Sequence, residues 1–134
     1  MKRAKRFQRP LCIMMIDVDR FKTYNDSFGH QEGDELLKAI SRALTANLRE
    51  IDTVCRYGGD EFVVILPESD LPDAVSVANR MRHAVDQLDL KMPVTLSIGV
   101  ARREEHMDEK GLIQAADKAL YKAKQNGRDQ VCGG

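Results

Sequence analysis

With 134 residues, 43% of them hydrophobic and 31% charged, the chain is sized for one domain with a real core and too short for a regulatory module joined to a catalytic one. Its 21 basic and 21 acidic residues cancel, so no whole-molecule field draws it to nucleic acid or an anionic membrane, and phosphate binding must be local. Cys12, Cys55 and Cys132 are odd in number, widely spaced and without a CxxC pair, which argues against a zinc site or disulfide framework and fits a reducing cytosol.

The basic start (Lys2, Arg3, Lys5, Arg6, Arg9) leads into only a short apolar stretch, unlike a signal peptide, and no run reaches transmembrane length. It reads as a solvated helix or linker end in preference to a membrane-surface patch. Leu11 to Ile16 is a continuous apolar run ended by Asp17-Val18-Asp19, the pattern of a strand buried on both faces that delivers acids at its C-terminal edge. Leu36, Leu37, Ile40, Ala43, Leu44 and Leu48 then recur at helical spacing and predict a long amphipathic helix. Val54 to Tyr57 and the apolar Phe62 to Leu66 predict a hairpin, with Gly58-Gly59 as a tight turn whose central residues take positive φ. Val77, Ala78, Met81, Ala84, Val85 and Leu88 predict a second helix, capped by Asp70 and tolerant of Pro72 in its first turn. Val94, Leu96, Ile98 and Val100 alternate with Thr95, Ser97 and Gly99, a strand with unlike faces. Leu112, Ile113, Ala116, Ala119, Leu120 and Ala123 mark a last helix stopped by Asn126-Gly127, and Gln130 to Cys132 add a short strand. The order is that of an α/β (α+β) domain: a central sheet covered by helices and at least partly antiparallel.

The chemistry concentrates in acids at strand ends. Asp60 and Glu61 follow the glycine turn directly and, on a strand, aim to opposite faces, so they have different jobs. Asp17, Asp19 and Asp60 can converge as oxygen ligands for Mg²⁺, which keeps waters or substrate phosphates in its remaining positions. A pair of such ions about 4 Å apart suits phosphoryl transfer. A calcium loop starting at Asp17 fails, because Lys22 stands where glycine is required and Phe28 where Glu is. No GxxxxGK(S/T), HExxH or GxSxG motif occurs. Lys124 and Arg128, four apart at the end of the last helix, can share one face and reach phosphate oxygens, or merely complement the helix dipole.

The strings MIDVDRFKTYNDSFGHQEGDELL, REIDTVCRYGGDEFVVILPE, VTLSIGVA and ADKALYKAKQNGRD, in this order, resemble the GGDEF family of bacterial diguanylate cyclases. The resemblance implies a central, largely antiparallel five-stranded sheet surrounded by helices, similar to adenylyl cyclase and polymerase palm domains. It implies that Asp17, the Val18 carbonyl and Asp60 hold two Mg²⁺ (or Mn²⁺) ions per half-site, with Phe21 and Lys22 on a loop that receives the GTP phosphates beside Gly59. By the same likeness Lys124 and Arg128 bind phosphate, and Asn25, His30 and Asp34 form the nucleoside pocket. A carboxylate at Asp34 can accept from guanine N1-H and N2-H₂, a pattern adenine lacks. The implied reaction joins two GTP into cyclic di-GMP with release of two pyrophosphates, in an antiparallel homodimer, with Asp60 or Glu61 as base. Arg49 and Asp52, an RxxD, match an inhibitory product site, and Arg80 matches a further arginine that reaches bound product from another domain. The family's usual DxLTGLxNR segment and a regulatory domain are missing, so residues 1–134 read as one catalytic domain truncated at its N-terminus, with low activity in isolation. The expected location is cytoplasmic, in a parent protein free to be membrane-tethered. The alternative is an idle module that acts as a GTP or cyclic di-GMP receptor.

Overall fold

The computed structural model describes residues 9–133, so the basic residues Lys2, Arg3, Lys5 and Arg6 lie outside it. The described elements are β1 (Leu11–Asp19), α1 (Phe21–Phe28), α2 (His30–Ala46), β2 (Thr53–Arg56), β3 (Glu61–Pro67), α3 (Leu71–Asp86), β4 (Thr95–Arg102), α4 (Glu109–Gln125) and β5 (Gln130–Gly133). They build a five-stranded sheet in the order β2-β3-β1-β4-β5. All neighbours are antiparallel except β4 and β5, which run parallel. The sheet is therefore mixed and largely antiparallel, as expected for the α+β reading.

The unbroken apolar run of β1 is explained by its central place. Cys12, Met14, Ile16 and Val18 face a core shared with Leu36, Leu37, Ile40 and Leu44 of α2 and with Ala74, Ala78, Met81 and Val85 of α3. Ile13 and Met15 face the opposite side, where Leu112, Ala116 and Leu120 of α4 cover them. Burial pushes the Cys12 thiol up to about 11, so it is an inert core group whose Sγ donates to the Ser69 carbonyl.

β4 departs from expectation, because both its faces are buried. Gly99 lets α4 approach so closely that an added Cβ would lie 2.1 Å from the Leu120 amide nitrogen and 2.2 Å from the Ala116 carbonyl oxygen. Backbone cannot yield as a flexible side chain does. Gly99→Ala is expected to cost about 1–3 kcal/mol or more, read as a lower urea midpoint, and an unchanged midpoint would contradict this packing.

Two local expectations are corrected. Asp70 sits at the N-cap of α3, but its side chain makes no cap bond. Its carboxylate instead accepts from Arg102 Nε at 2.8 Å, an ion pair that ties the start of α3 to the end of β4. Pro72 does lie in the first turn. The chain between β1 and α2 is not a loop, because Phe21–Phe28 is helical, with Tyr24 buried and its ring 5.0 Å from that of Phe28. No helix of the described residues is long and apolar enough to cross a membrane.

Candidate active site

The sheet register brings the acids together. Asp17 pairs with Glu61 across β1 and β3, and the Val18 amide donates to the Asp60 carbonyl at 3.0 Å. In an antiparallel ladder a residue's N–H and C=O point to the same side, so the Val18 carbonyl also faces the β1–β3 seam. Asp17 stands on the α4 side of the sheet, where the Lys124 ammonium pairs with its Oδ2. Its Oδ1 is buried without a hydrogen-bond partner. Burial first, and then the negative charge of Asp17, pushes the Asp60 carboxyl up to about 6.

An orphaned carboxylate oxygen beside a second carboxylate that resists ionisation is a site short of positive charge. Among the described residues no three His, Cys, Asp or Glu side chains cluster as a complete ligand set. Two carboxylates and a main-chain carbonyl nonetheless fit Mg²⁺ or Mn²⁺, hard ions that leave remaining positions to water or phosphate.

Asp19 does not join that set. It is 4% exposed, and its carboxylate accepts from Thr95 Oγ1 at 2.7 Å, Ser97 Oγ at 2.8 Å and the Asp129 amide at 3.1 Å. Its oxygens are committed to fixing β4 and the chain after α4, which corrects its reading as a metal ligand.

The cations arrive from the end of α4. Lys124 is in the last turn, but Arg128 lies beyond the Asn126 C-cap, so the two do not share a helix face as the spacing suggests. Gly127 (φ 115°), Arg128 (φ 63°) and Asp129 (φ 48°) are consecutive left-handed residues that turn the chain back into β5. This brings Arg128 Nε to 4.0 Å from Asp19 Oδ1. Both cations thus lie over the acids at the end of β1.

The glycine turn also differs from expectation. Among the described residues only Gly29 and Gly127 are glycines of positive φ, so Gly58 and Gly59 are not. The connection Tyr57–Asp60 is longer than two residues and is closed by the Tyr57 amide on the Glu61 carbonyl at 2.8 Å, which removes the need for a primed turn. A Cβ at Gly58 would lie 3.0 Å from Glu61 Oε1, the far end of a flexible side chain that can move aside. Arg56 Nη2 donates to the Gly59 carbonyl at 2.9 Å and pins the loop.

Phe21 and Lys22 occupy the first turn of α1, not a loop. Arg20 precedes them at φ 67° and makes no side-chain cap, so the first amides of α1 remain open to an anion. Asn25 Nδ2 and His30 Nδ1 are 3.0 Å apart, and Asn25 Oδ1 is buried and unpartnered. Gly33 makes room for it, since a Cβ would lie 2.0 Å from that oxygen. Next to Gly33, the exposed Asp34 lines a cleft of about 370 Å³ with Leu37, Lys38, Ser41, Val54, Arg56 and Phe62. Lys38 and Ser41 were legible as the i+4 and i+7 neighbours of Asp34 on α2.

Arg49 and Asp52 are already joined. Arg49 donates to Asp52 from its amide, Nε and Nη2, at 2.7, 3.1 and 2.8 Å, and from Nη2 to the Pro67 carbonyl at 2.6 Å and Ser69 Oγ at 2.9 Å. The hydrogen bonds to Asp52 raise the Arg49 pKa further. Arg80 lines a separate cleft with Asn47, Ser76, Asn79, His83 and Ala84. The structure thus binds Arg49 to Asp52 but does not place Arg80 in the same cleft.

Residues 1–130 match the family model described as diguanylate cyclase, GGDEF domain. The chain belongs to the GGDEF family. It is 44% identical over 134 residues to diguanylate cyclase DosC of Escherichia coli K12, covering 96% of this chain and 29% of that protein. It is 41% identical over 140 residues to the response regulator PleD of Caulobacter vibrioides, covering 98% of this chain and 31% of PleD. The chain therefore spans about a third of the length of these curated relatives. Among solved structures, the active GGEEF domain of a Vibrio cholerae diguanylate cyclase superposes with a TM-score of 0.91 at 32% identity, covering 98% of this chain and 87% of that one. The GGDEF domain of DgcB from Caulobacter crescentus, in complex with c-di-GMP, also gives 0.91, at 28% identity and coverages of 98% and 82%. The GGDEF fold expected from the sequence is the fold of these neighbours.

Proposed function

We propose that this GGDEF domain is one half-site of a diguanylate cyclase, joining two GTP into cyclic di-GMP with release of two pyrophosphates. The observation that carries the reading is the acid corner: Asp17 with an unpartnered Oδ1, Asp60 held near pH 6 by burial and by Asp17, and one ammonium, Lys124, beside them. Asp17, the Val18 carbonyl and Asp60 would hold two Mg²⁺ (or Mn²⁺), which supply charge neutralisation at the transferring phosphate when bound. Lys124, Arg128 and the amides at Phe21 and Lys22 hold the phosphate chain beside Gly59 and orient the α-phosphorus. The 3′-oxygen of one GTP forms a bond to that phosphorus as the bond to pyrophosphate breaks. Asp60 or Glu61 accepts the hydroxyl proton. One such step at each of two half-sites closes the ring, so the working species is an antiparallel homodimer of a domain spanning residues 1–134, in the cytoplasm.

Asn25, His30 and Asp34 read the nucleoside. Asp34 accepts from guanine N1-H and N2-H₂, which adenine cannot offer. Titration calorimetry should show Asp34→Ala losing about 100-fold in GTP affinity while its weak ATP binding barely moves. ATP bound as tightly as GTP by the unaltered chain would contradict the assignment. Arg49 and Asp52 make an inhibitory product site, and Arg80, in its own cleft, reaches product bound there from another domain. Arginine edges suit phosphates and guanine, and the Arg49–Asp52 pairing presents the guanidinium in a fixed orientation.

A further inference from the structure

The left-handed turn at Gly127, Arg128 and Asp129 is improbable on local grounds, because two of its three residues carry a Cβ. Surrounding contacts must therefore hold it. Asp19 does so from the strand side, accepting from the Asp129 amide. From the other side the hold comes from Arg82 on α3. Its Nη2 donates to the Asp129 carbonyl at 2.8 Å and to Asp129 Oδ1 at 3.0 Å, and its Nη1 donates to Asn79 Oδ1 at 2.9 Å. The Arg82 side chain is largely buried, and its Nε is enclosed without a partner. A guanidinium has been taken partly out of water to grip one turn by main chain and side chain together.

We infer that Arg82 is a positioning residue for Arg128: it locks Asp129 so that the preceding residue projects over the acids at the end of β1. The consequence for turnover rests on the function proposed above. Arg82 lies outside the four sequence strings that carry the family likeness, and no local pattern links it to Asp129, 47 residues away. Asn79 fixes the angle of the clamp from one turn earlier on α3. Arg82 meets neither nucleotide nor metal in this account, and it acts only through the backbone of Arg128 and Asp129.

The test uses Arg82→Ala and Arg82→Lys in the full chain, with two readouts. Amide exchange followed by NMR, without nucleotide, should show the Asp129 N–H of Arg82→Ala losing protection about tenfold or more relative to helix α4, with partial recovery in Arg82→Lys. Unchanged Asp129 exchange in Arg82→Ala would overturn the clamp. In turnover, Arg82→Ala should raise the KM for GTP about tenfold, and in an Arg128→Ala background the same change should add less than about twofold. A full and independent effect in that background would show Arg82 acting elsewhere and overturn the assignment. If the unaltered chain made no cyclic di-GMP, the functional reading would fall, and the exchange measurement would still decide the clamp.

Discussion

Asp60→Asn is expected to make the metal-free domain more stable and at the same time to remove its activity. The carboxyl of Asp60 is pushed from the ordinary 3.8 up to about 6, by burial first and by Asp17 next. The folded state therefore holds this proton more tightly than the unfolded chain does. Stability associated with the protonated form is present below about pH 4 and is lost as pH rises through about 6. An amide is neutral throughout and avoids that loss. In EDTA at pH 7 the variant should melt a few degrees above the parent, with the gap closing toward pH 4. Mg²⁺ should raise the melting temperature of the parent and not of the variant, and cyclisation should fall roughly 10³-fold. A variant that melts lower at pH 7 would show that burial and Asp17 do not disfavour the Asp60 carboxylate.

Lys124→Met should also remove activity, but with the opposite effect on stability. Lys124 is the ammonium paired with Asp17, at 29% and 13% side-chain exposure. Methionine keeps the length and apolar stem while deleting the charge, leaving Asp17 and Asp60 to repel without compensation. Breaking a fully buried pair costs about 3–5 kcal/mol, and partial exposure reduces this to about 1–2. Turnover should fall about 10²-fold, because in the proposed reaction the same ammonium neutralises phosphate charge. The double variant with Asp60→Asn should regain stability without regaining activity. Calorimetry at pH 7 checks the stability signs, and a Lys124→Met melting point at or above the parent's would contradict the pairing.

Much of the fold was legible because its signals are local. The two-faced burial of β1 follows from an unbroken apolar run, and the stop of α4 at Asn126-Gly127 follows from C-cap chemistry. Helix α1 is masked in the sequence, although Phe21, Tyr24 and Phe28 stand at i, i+3 and i+7, because the polar residues between them carry the pattern of a loop. A glycine pair between two strands predicts positive φ at Gly58 and Gly59, whereas the longer connection closed by the Tyr57 amide needs none.

At the site, the pairing of Asp17 with the Asp60 turn followed from strand ends and motif. The distinction between Asp17 and Asp19 comes only with the family resemblance, whose ligand set leaves Asp19 out; the strand-end pattern alone cannot make it, since the groups that consume the Asp19 carboxylate, Thr95 and Ser97, lie 76 and 78 residues away. The placement of Arg128 was hidden for a related reason. Left-handed φ at Arg128 and Asp129 runs against their local preference and is sustained by Asp19 and by Arg82, contacts that only the folded chain creates.

The most direct measurement is product analysis of the concentrated chain incubated with GTP and Mg²⁺, with cyclic di-GMP and pyrophosphate quantified over time. Formation of the two in a ratio of about one to two, lost in Asp60→Asn, is the predicted result. GTP left intact at concentrations where the chain is shown to dimerise would contradict the assignment of this domain as a cyclase half-site.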